Sequence, residues 1–196
     1  MNKKLLAEAL GTFTLALAVL TSVSTDSILV TPVIAGLVLG LFVYTIGAKS
    51  GSHINPAVTT GLWSLGKIKT NEAVSYIIAQ LIGGGLALFV ATNFLGEVGL
   101  SSAPESFSIF LAELIGMIIF TFGIASVVYS KVNDAASGLV IGGSLLLGII
   151  IAAHLGSSGI LNPAVALALG SFNFSYVLGA IFGSTIGMRL YKTLCC

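Results

Sequence analysis

Charge is what this chain has least of: Asp, Glu, Lys and Arg together make up 8% of its 196 residues. A water-soluble domain cannot cover its surface with so few charges, so most of the chain must be solvated by lipid. Cysteine is nearly absent as well. The two present, Cys195 and Cys196, are the last two residues. They offer no spacing for a disulfide framework or a metal site, and read either as plain thiols or as a lipidation acceptor. No basic run or aromatic-basic interleaving is present, which excludes a nucleic-acid partner. No nucleophile–base pair, metal-ligand cluster or phosphate-cradling loop appears, so no enzyme, cofactor or metal site is expected.

What is present is apolar. Hydrophobic residues make up 56% of the chain, and the mean hydropathy is +1.09. A bilayer core of about 30 Å needs about 20 helical residues to cross it. Six segments meet that length: Leu5–Val23, Ile28–Gly47, Glu72–Leu95, Phe107–Ser130, Ser137–Leu155 and Phe174–Leu194. Short polar breaks such as Ser24–Ser27, Gly96–Ser106 and Lys131–Ala136 separate them. The first segment follows Lys3 and Lys4 as a secretory signal would. It contains Glu8, however, and a similar segment recurs mid-chain, so it is read as part of the mature fold. With the N-terminus placed in the cytoplasm, Lys3, Lys4, Lys49, Lys67, Lys69, Lys131, Arg189 and Lys192 all fall on the cytoplasmic side. Asp26, Glu97 and Glu105 fall on the other. That asymmetry predicts an integral membrane protein of six spans, in an inner membrane, with both termini cytoplasmic.

Two apolar pieces, Pro56–Leu65 and Pro163–Leu169, are too short to cross. At about 1.5 Å per residue, ten residues reach about 15 Å, half of the hydrocarbon depth. Both begin with the same words: Asn55-Pro56-Ala57-Val58 recurs as Asn162-Pro163-Ala164-Val165. Other matches keep the same order. Residues 7–11 read Ala-Glu-Ala-Leu-Gly and residues 112–116 Ala-Glu-Leu-Ile-Gly. Residues 75–78 read Ser-Tyr-Ile-Ile and residues 175–178 Ser-Tyr-Val-Leu. The chain is thus read as one domain over 1–196, with repeats at about 1–100 and 101–196. Three spans per repeat force the second copy to sit inverted, a recurrent plan for moving solutes.

Asn is a good N-cap and Pro suits the first helical position, so Asn55 and Asn162 should each start a half-helix at the membrane centre. The positive ends of those helices oppose cations, and each Asn amide can donate to a passing solute oxygen. The Gly- and Ser-rich stretches Gly47–Ile54 and Gly156–Leu161 are expected as non-helical backbone lining a wet cavity. Glu8 and Glu113, equivalently placed in the two repeats, are read as acceptors for the loop of their own repeat; proton coupling is the alternative. His53 is expected to shape a vestibule. His154 is read as a structural residue or a polar group near the outer mouth.

The segment Ser50-Gly51-Ser52-His53-Ile54-Asn55-Pro56-Ala57-Val58-Thr59, the repeated Ala-Glu-x-x-Gly and Ala79-Gln80 resemble the major intrinsic protein (aquaporin) family over essentially the whole chain. The resemblance implies an all-α bundle of six membrane-spanning helices plus two half-helices, assembled as a homotetramer. It also implies a passive channel for water or a small neutral solute. Counting from the two Asn residues places the family's constriction at Ala35, Ile150, Gly159 and Val165. Water-selective members commonly show an aromatic residue, His, a small residue and Arg there. The ring is therefore expected to be wider, apolar and uncharged. It would suit ammonia, urea, hydrogen peroxide or dissolved gases, with one fixed positive charge fewer against cations. Glycerol fits on width alone, because Ala166 stands where the glycerol-conducting branch has Asp. His154, one helical turn beyond Ile150, is a candidate for the missing polar group. Two other readings stay open: a secondary transporter, and a non-conducting membrane-packing protein of the same fold.

Overall fold

The computed structural model describes residues 2–25, 29–96 and 104–196, and among them the fold is all α. Six long helices and two short ones follow in order. They are α1 (Lys3–Ser24), α2 (Thr31–Ser50), α3 (Pro56–Ser64), α4 (Thr70–Leu95), α5 (Phe107–Val128), α6 (Asp134–His154), α7 (Pro163–Ala168) and α8 (Phe174–Cys195). Five of the long helices are long and apolar enough to cross a membrane by length and composition. The sixth, α8, has the length but not that apolarity, because it carries Arg189, Lys192 and several Ser, Thr and Gly residues.

The boundaries follow local chemistry. Hydrocarbon offers backbone groups no water, so helix ends need protein partners. Side chains supply them at six N-termini: Asn2, Asn55, Ser106, Asn133, Asn162 and Asn173 each accept a backbone N–H of the first turn. At the other end of α2, Gly51 adopts φ 89° and donates its N–H to the Gly47 carbonyl, a left-handed cap that suits glycine. Thus α2 runs to Ser50, and the stretch expected to be non-helical from Gly47 begins only at Gly51. Asp26 and Glu97, two of the acidic residues read as marking one face, lie outside the described residues. So do Ser27, Ile28 and residues 98–103. Glu105 is exposed.

Close backbone approach holds the bundle together. On α8, a Cβ added at Gly179, Gly183 or Gly187 would lie 2.8, 2.5 or 2.5 Å from the carbonyls of Phe110, Leu114 and Ile118 on α5. The four-residue spacing on both helices is one ridge set into one groove. Small residues at such contacts let helices pack by dispersion, since lipid removes the hydrophobic drive between them. Helices α2 and α6 cross in the same way at Gly36–Gly142 and Gly40–Gly138. At one end of the bundle Lys4 of α1 pairs with Glu72 of α4 at 2.7 Å, and Arg189 of α8 donates to the Ser64 carbonyl that ends α3. This is the basic end; α7 ends beside the start of α8, at the opposite end.

Candidate functional site

The two short helices start at the middle of the bundle, where each asparagine does two jobs. The Asn55 side-chain oxygen accepts from Ala57 N at 2.8 Å and Val58 N at 3.4 Å; Asn162 does the same for Ala164 N at 3.0 Å and Val165 N at 3.4 Å. Their amide nitrogens cross over. Asn55 Nδ2 donates to the Leu161 carbonyl at 2.9 Å, and Asn162 Nδ2 donates to the Ile54 carbonyl at 3.0 Å. A primary amide carries two N–H donors. One of each is used in this tether, and both residues line the same cavity.

Two buried carboxylates fix the backbone that leads into these helices. Glu8 accepts from Ser50 Oγ at 2.6 Å, His53 N at 3.0 Å, Ile54 N at 2.7 Å and Gln80 Nε2 at 2.8 Å. Glu113 accepts from Ser157 Oγ, from Ile160 N at 3.0 Å and from Leu161 N at 2.7 Å. The tyrosines of the repeated Ser-Tyr pair brace the same loops: Tyr76 Oη donates to the Ser50 carbonyl at 2.9 Å, and Tyr176 Oη to Ser158 Oγ at 3.2 Å. Both glutamates have zero exposed surface, so their cost in a low-dielectric interior is met by directed donors.

These carboxylates hold an unfavourable backbone. Ile54 has φ 39° and Leu161 φ 51°, a left-handed region costly for bulky and especially β-branched side chains, of order 1–3 kcal/mol each. That turn directs the Ile54 and Leu161 carbonyls at the opposing Asn amides. The strain therefore sits where the two half-helices are joined, and a buried carboxyl acceptor in each repeat keeps it there.

Two cavities flank the junction. One, of about 560 Å³, opens away from the basic end; its wall includes Ala35, Asn55, Ile149, Gly159, Asn162 and Val165. The other, of about 620 Å³, opens toward the basic end and includes Gly51, Ser52, Val58, Lys67 and Asp134. Leu39, His53 and Phe120 line both, and so form the boundary between them. Asparagine amides, loop backbone and His53 supply polar groups on one side of the passage. Leucine, isoleucine, valine and phenylalanine supply an apolar wall on the other.

Of the constriction residues counted from sequence, Ala35, Gly159 and Val165 lie together on this wall. Ile150 does not: the wall takes Ile149 and Ala153 from α6, and neither Ile150 nor His154 is among its residues. The count assumed no local insertion. From the end of α6 at His154 to Asn162 the chain runs eight positions, against five from Ser50 to Asn55, and Gly159 packs on the Ile149 carbonyl. His154 is exposed at the end of α6 and is not among the residues lining this cavity. His53 stands at the boundary of the cavities with Nδ1 3.1 Å from Thr59 Oγ1. Pro56, Ala57, Pro163 and Ala164 are buried at the starts of their helices. Sequence reasoning did not single out Ser50, Ser157, Leu39 or Phe120. The two serines each stand five residues before the asparagine of their repeat, a signal available in the sequence, whereas Leu39 and Phe120 are apolar residues among many.

The sequence model of the family described as Major intrinsic protein matches residues 1–191. The chain is 30% identical to "Aquaporin Z" of Photorhabdus laumondii, covering 99% of this chain and 98% of that protein. It is 34% identical to "Glycerol uptake facilitator protein-like 6" of Lactiplantibacillus plantarum, over 87% of this chain and 84% of that protein. Its fold is similar to the crystal structure of the aquaglyceroporin from Plasmodium falciparum, with a TM-score of 0.74, 21% identity, and coverage of 99% and 96% of the two chains. The inverted pair of half-helices joined through Asn55 and Asn162 stands on a chain that is a member of the major intrinsic protein family.

Proposed function

We propose that this protein is a passive transmembrane channel for water and small uncharged solutes, with the passage running between the two cavities past Asn55 and Asn162. The observation that carries this reading is the reciprocal tether of the two asparagines. It spends one N–H of each amide on the facing loop and leaves the other for a solute oxygen in a cavity both residues line. Pore-lining groups of this kind replace part of a solute's hydration without binding it tightly, which is what conduction requires. Residues Ala35, Ile149, Gly159 and Val165 contribute apolar, uncharged lining to the cavity that opens away from the basic end. That lining favours neutral solutes such as ammonia, urea, hydrogen peroxide, dissolved gases or glycerol beside water. It places cation exclusion on the paired amides.

The transporter reading needs a midplane group free to titrate. Both intramembrane carboxylates are occupied as loop acceptors, which favours the channel. Both termini lie on the cytoplasmic side of an inner membrane in this reading, because the Lys and Arg residues gather at one end. One domain of two repeats, about 1–100 and 101–196, forms each pore. The family resemblance supports a homotetramer with one pore per subunit.

Stopped-flow light scattering of proteoliposomes tests the proposal, first with an impermeant osmolyte for water and then with a panel of neutral solutes. Flux above empty vesicles that rises linearly with gradient and does not saturate is expected. Saturating, ion-coupled flux would favour a transporter, and flux equal to empty vesicles would leave a packing role.

A further inference from the structure

The two repeats hold their loops alike but differ in one polar cluster. In the first, Gln80 Nε2 donates to Glu8 Oε2 at 2.8 Å and to Thr59 Oγ1 at 2.9 Å, while Thr59 Oγ1 lies 3.1 Å from His53 Nδ1. In the second, the corresponding positions are Ala180, Ala166 and Ile160. Each is placed by the same local contacts: Ile160 N on Glu113, Ala166 N on the Asn162 carbonyl, and Ala180 four residues after the bracing tyrosine. The second loop keeps its conformation without any of the three polar side chains. Holding the loop is therefore not what the cluster adds.

Glu8 is an acceptor, so the Gln80 atom facing it is the amide nitrogen, and its second N–H points at Thr59. A threonine hydroxyl has one hydrogen and two lone pairs. Thr59 Oγ1 lies 3.1 Å from the Asn55 carbonyl four residues back, the acceptor that helical Thr hydroxyls take. Thr60 bonds the Pro56 carbonyl in the same way at 2.9 Å. With that hydrogen on the nearer Asn55 carbonyl rather than on Gln80 Oε1, 3.3 Å away, one lone pair takes Gln80 and the other is left for a hydrogen on His53 Nδ1. The opposite edge of the ring, at Nε2, faces Gly51. A Cβ added there would stand 3.0 Å from Nε2, and Gly51 sits at φ 89° where a side chain is disfavoured anyway. Tyr76 packs edge-on against the ring, with centroids 5.1 Å apart, and fixes its plane.

We infer that Gln80 and Thr59 are positioning residues that lock the proton of His53 on Nδ1, leaving Nε2 as a bare acceptor at the boundary of the two cavities. A solute crossing from Asn162 and Asn55, both donors, then meets a hydrogen-bond acceptor on the side toward the basic end and finds no counterpart in the other repeat. The passage would thus favour solutes that both accept and donate, such as water or ammonia. This last step rests on the channel reading; the tautomer does not.

The test uses the full chain with ¹⁵N-labelled histidine in proteoliposomes, carrying His154→Gln so that the label reports on His53 alone. Solid-state NMR separates protonated from bare ring nitrogens and distinguishes Nδ1 from Nε2 through ring-carbon correlations. The expected result is a single neutral form protonated at Nδ1. Thr59→Val, similar in shape, should shift the population toward Nε2–H, and Thr59→Ser should restore it. A ring protonated mainly at Nε2, or a tautomer unmoved by Thr59→Val, would overturn the inference. Because this readout needs no flux, vesicles that fail to conduct would count against the channel and leave the tautomer assignment standing.

Discussion

Consider replacing Glu113 by Ala. The carboxylate accepts from Ile160 N, Leu161 N and Ser157 Oγ. The serine hydroxyl can rotate to another acceptor, but the two backbone N–H groups belong to a loop whose conformation aims them inward. Each buried donor left unpaired costs about 1–3 kcal/mol, so the two cost about 2–6 kcal/mol. Leu161, at φ 51°, also loses the contact that holds its strained turn, which then relaxes toward ordinary backbone and withdraws its carbonyl from Asn55. Unfolding measured by SDS titration in mixed micelles should show a loss in that range. Glu113→Gln should fall between, since one oxygen remains to accept while the amide NH₂ opposes the second N–H. Osmotic water flux should drop with stability in the same order, provided the protein is reconstituted at equal density. A loss below about 1 kcal/mol for Glu113→Ala would refute the claim that this carboxylate holds the loop.

Four further substitutions have outcomes set by the same geometry. Asn55→Ala removes a cap worth about 1 kcal/mol and orphans the Leu161 carbonyl. It should cost about 2–4 kcal/mol by the same titration, and its combination with Asn162→Ala should be non-additive by about 0.5–3 kcal/mol, because the tethers share the two loops. Val165→Arg puts a cation on an otherwise apolar wall; in stopped-flow assays, urea entry should fall about tenfold relative to water, the effect of about 1.4 kcal/mol on the barrier. Gly36→Ala sets a Cβ 2.8 Å from the Gly142 carbonyl and should destabilise by about 1–3 kcal/mol. Gly85→Ala, with nothing within 4 Å of the added atom, should instead stabilise α4 by about 0.5–1 kcal/mol.

The long helices were legible in the sequence because lipid imposes a length and an apolarity that any spanning segment must show. Their ends could be read to within three residues because short polar breaks interrupt the apolar runs. The half-helices were legible because the same Asn-Pro-Ala-Val word recurs in two inverted copies. The glutamates could be read as loop acceptors because charge is so scarce in these spans that each one needs a partner.

What the sequence could not carry was register across non-helical backbone. Counting back from Asn162 pointed to Ile150, whereas the wall takes Ile149; a loop of mixed left- and right-handed residues has no fixed rise per residue, so spacing along the chain does not convert into position in space. Leu39 and Phe120 were equally invisible: apolar residues declare burial but not which cavity they border. Composition, repeats and caps alone determined that this chain crosses a membrane as two inverted halves with paired asparagines between them. The crossed tethers were decided only by tertiary packing, because they join groups 106 and 108 residues apart within about 3 Å, and so was the set of residues that share the cavity wall, which come from α2, α6, α7 and the second loop.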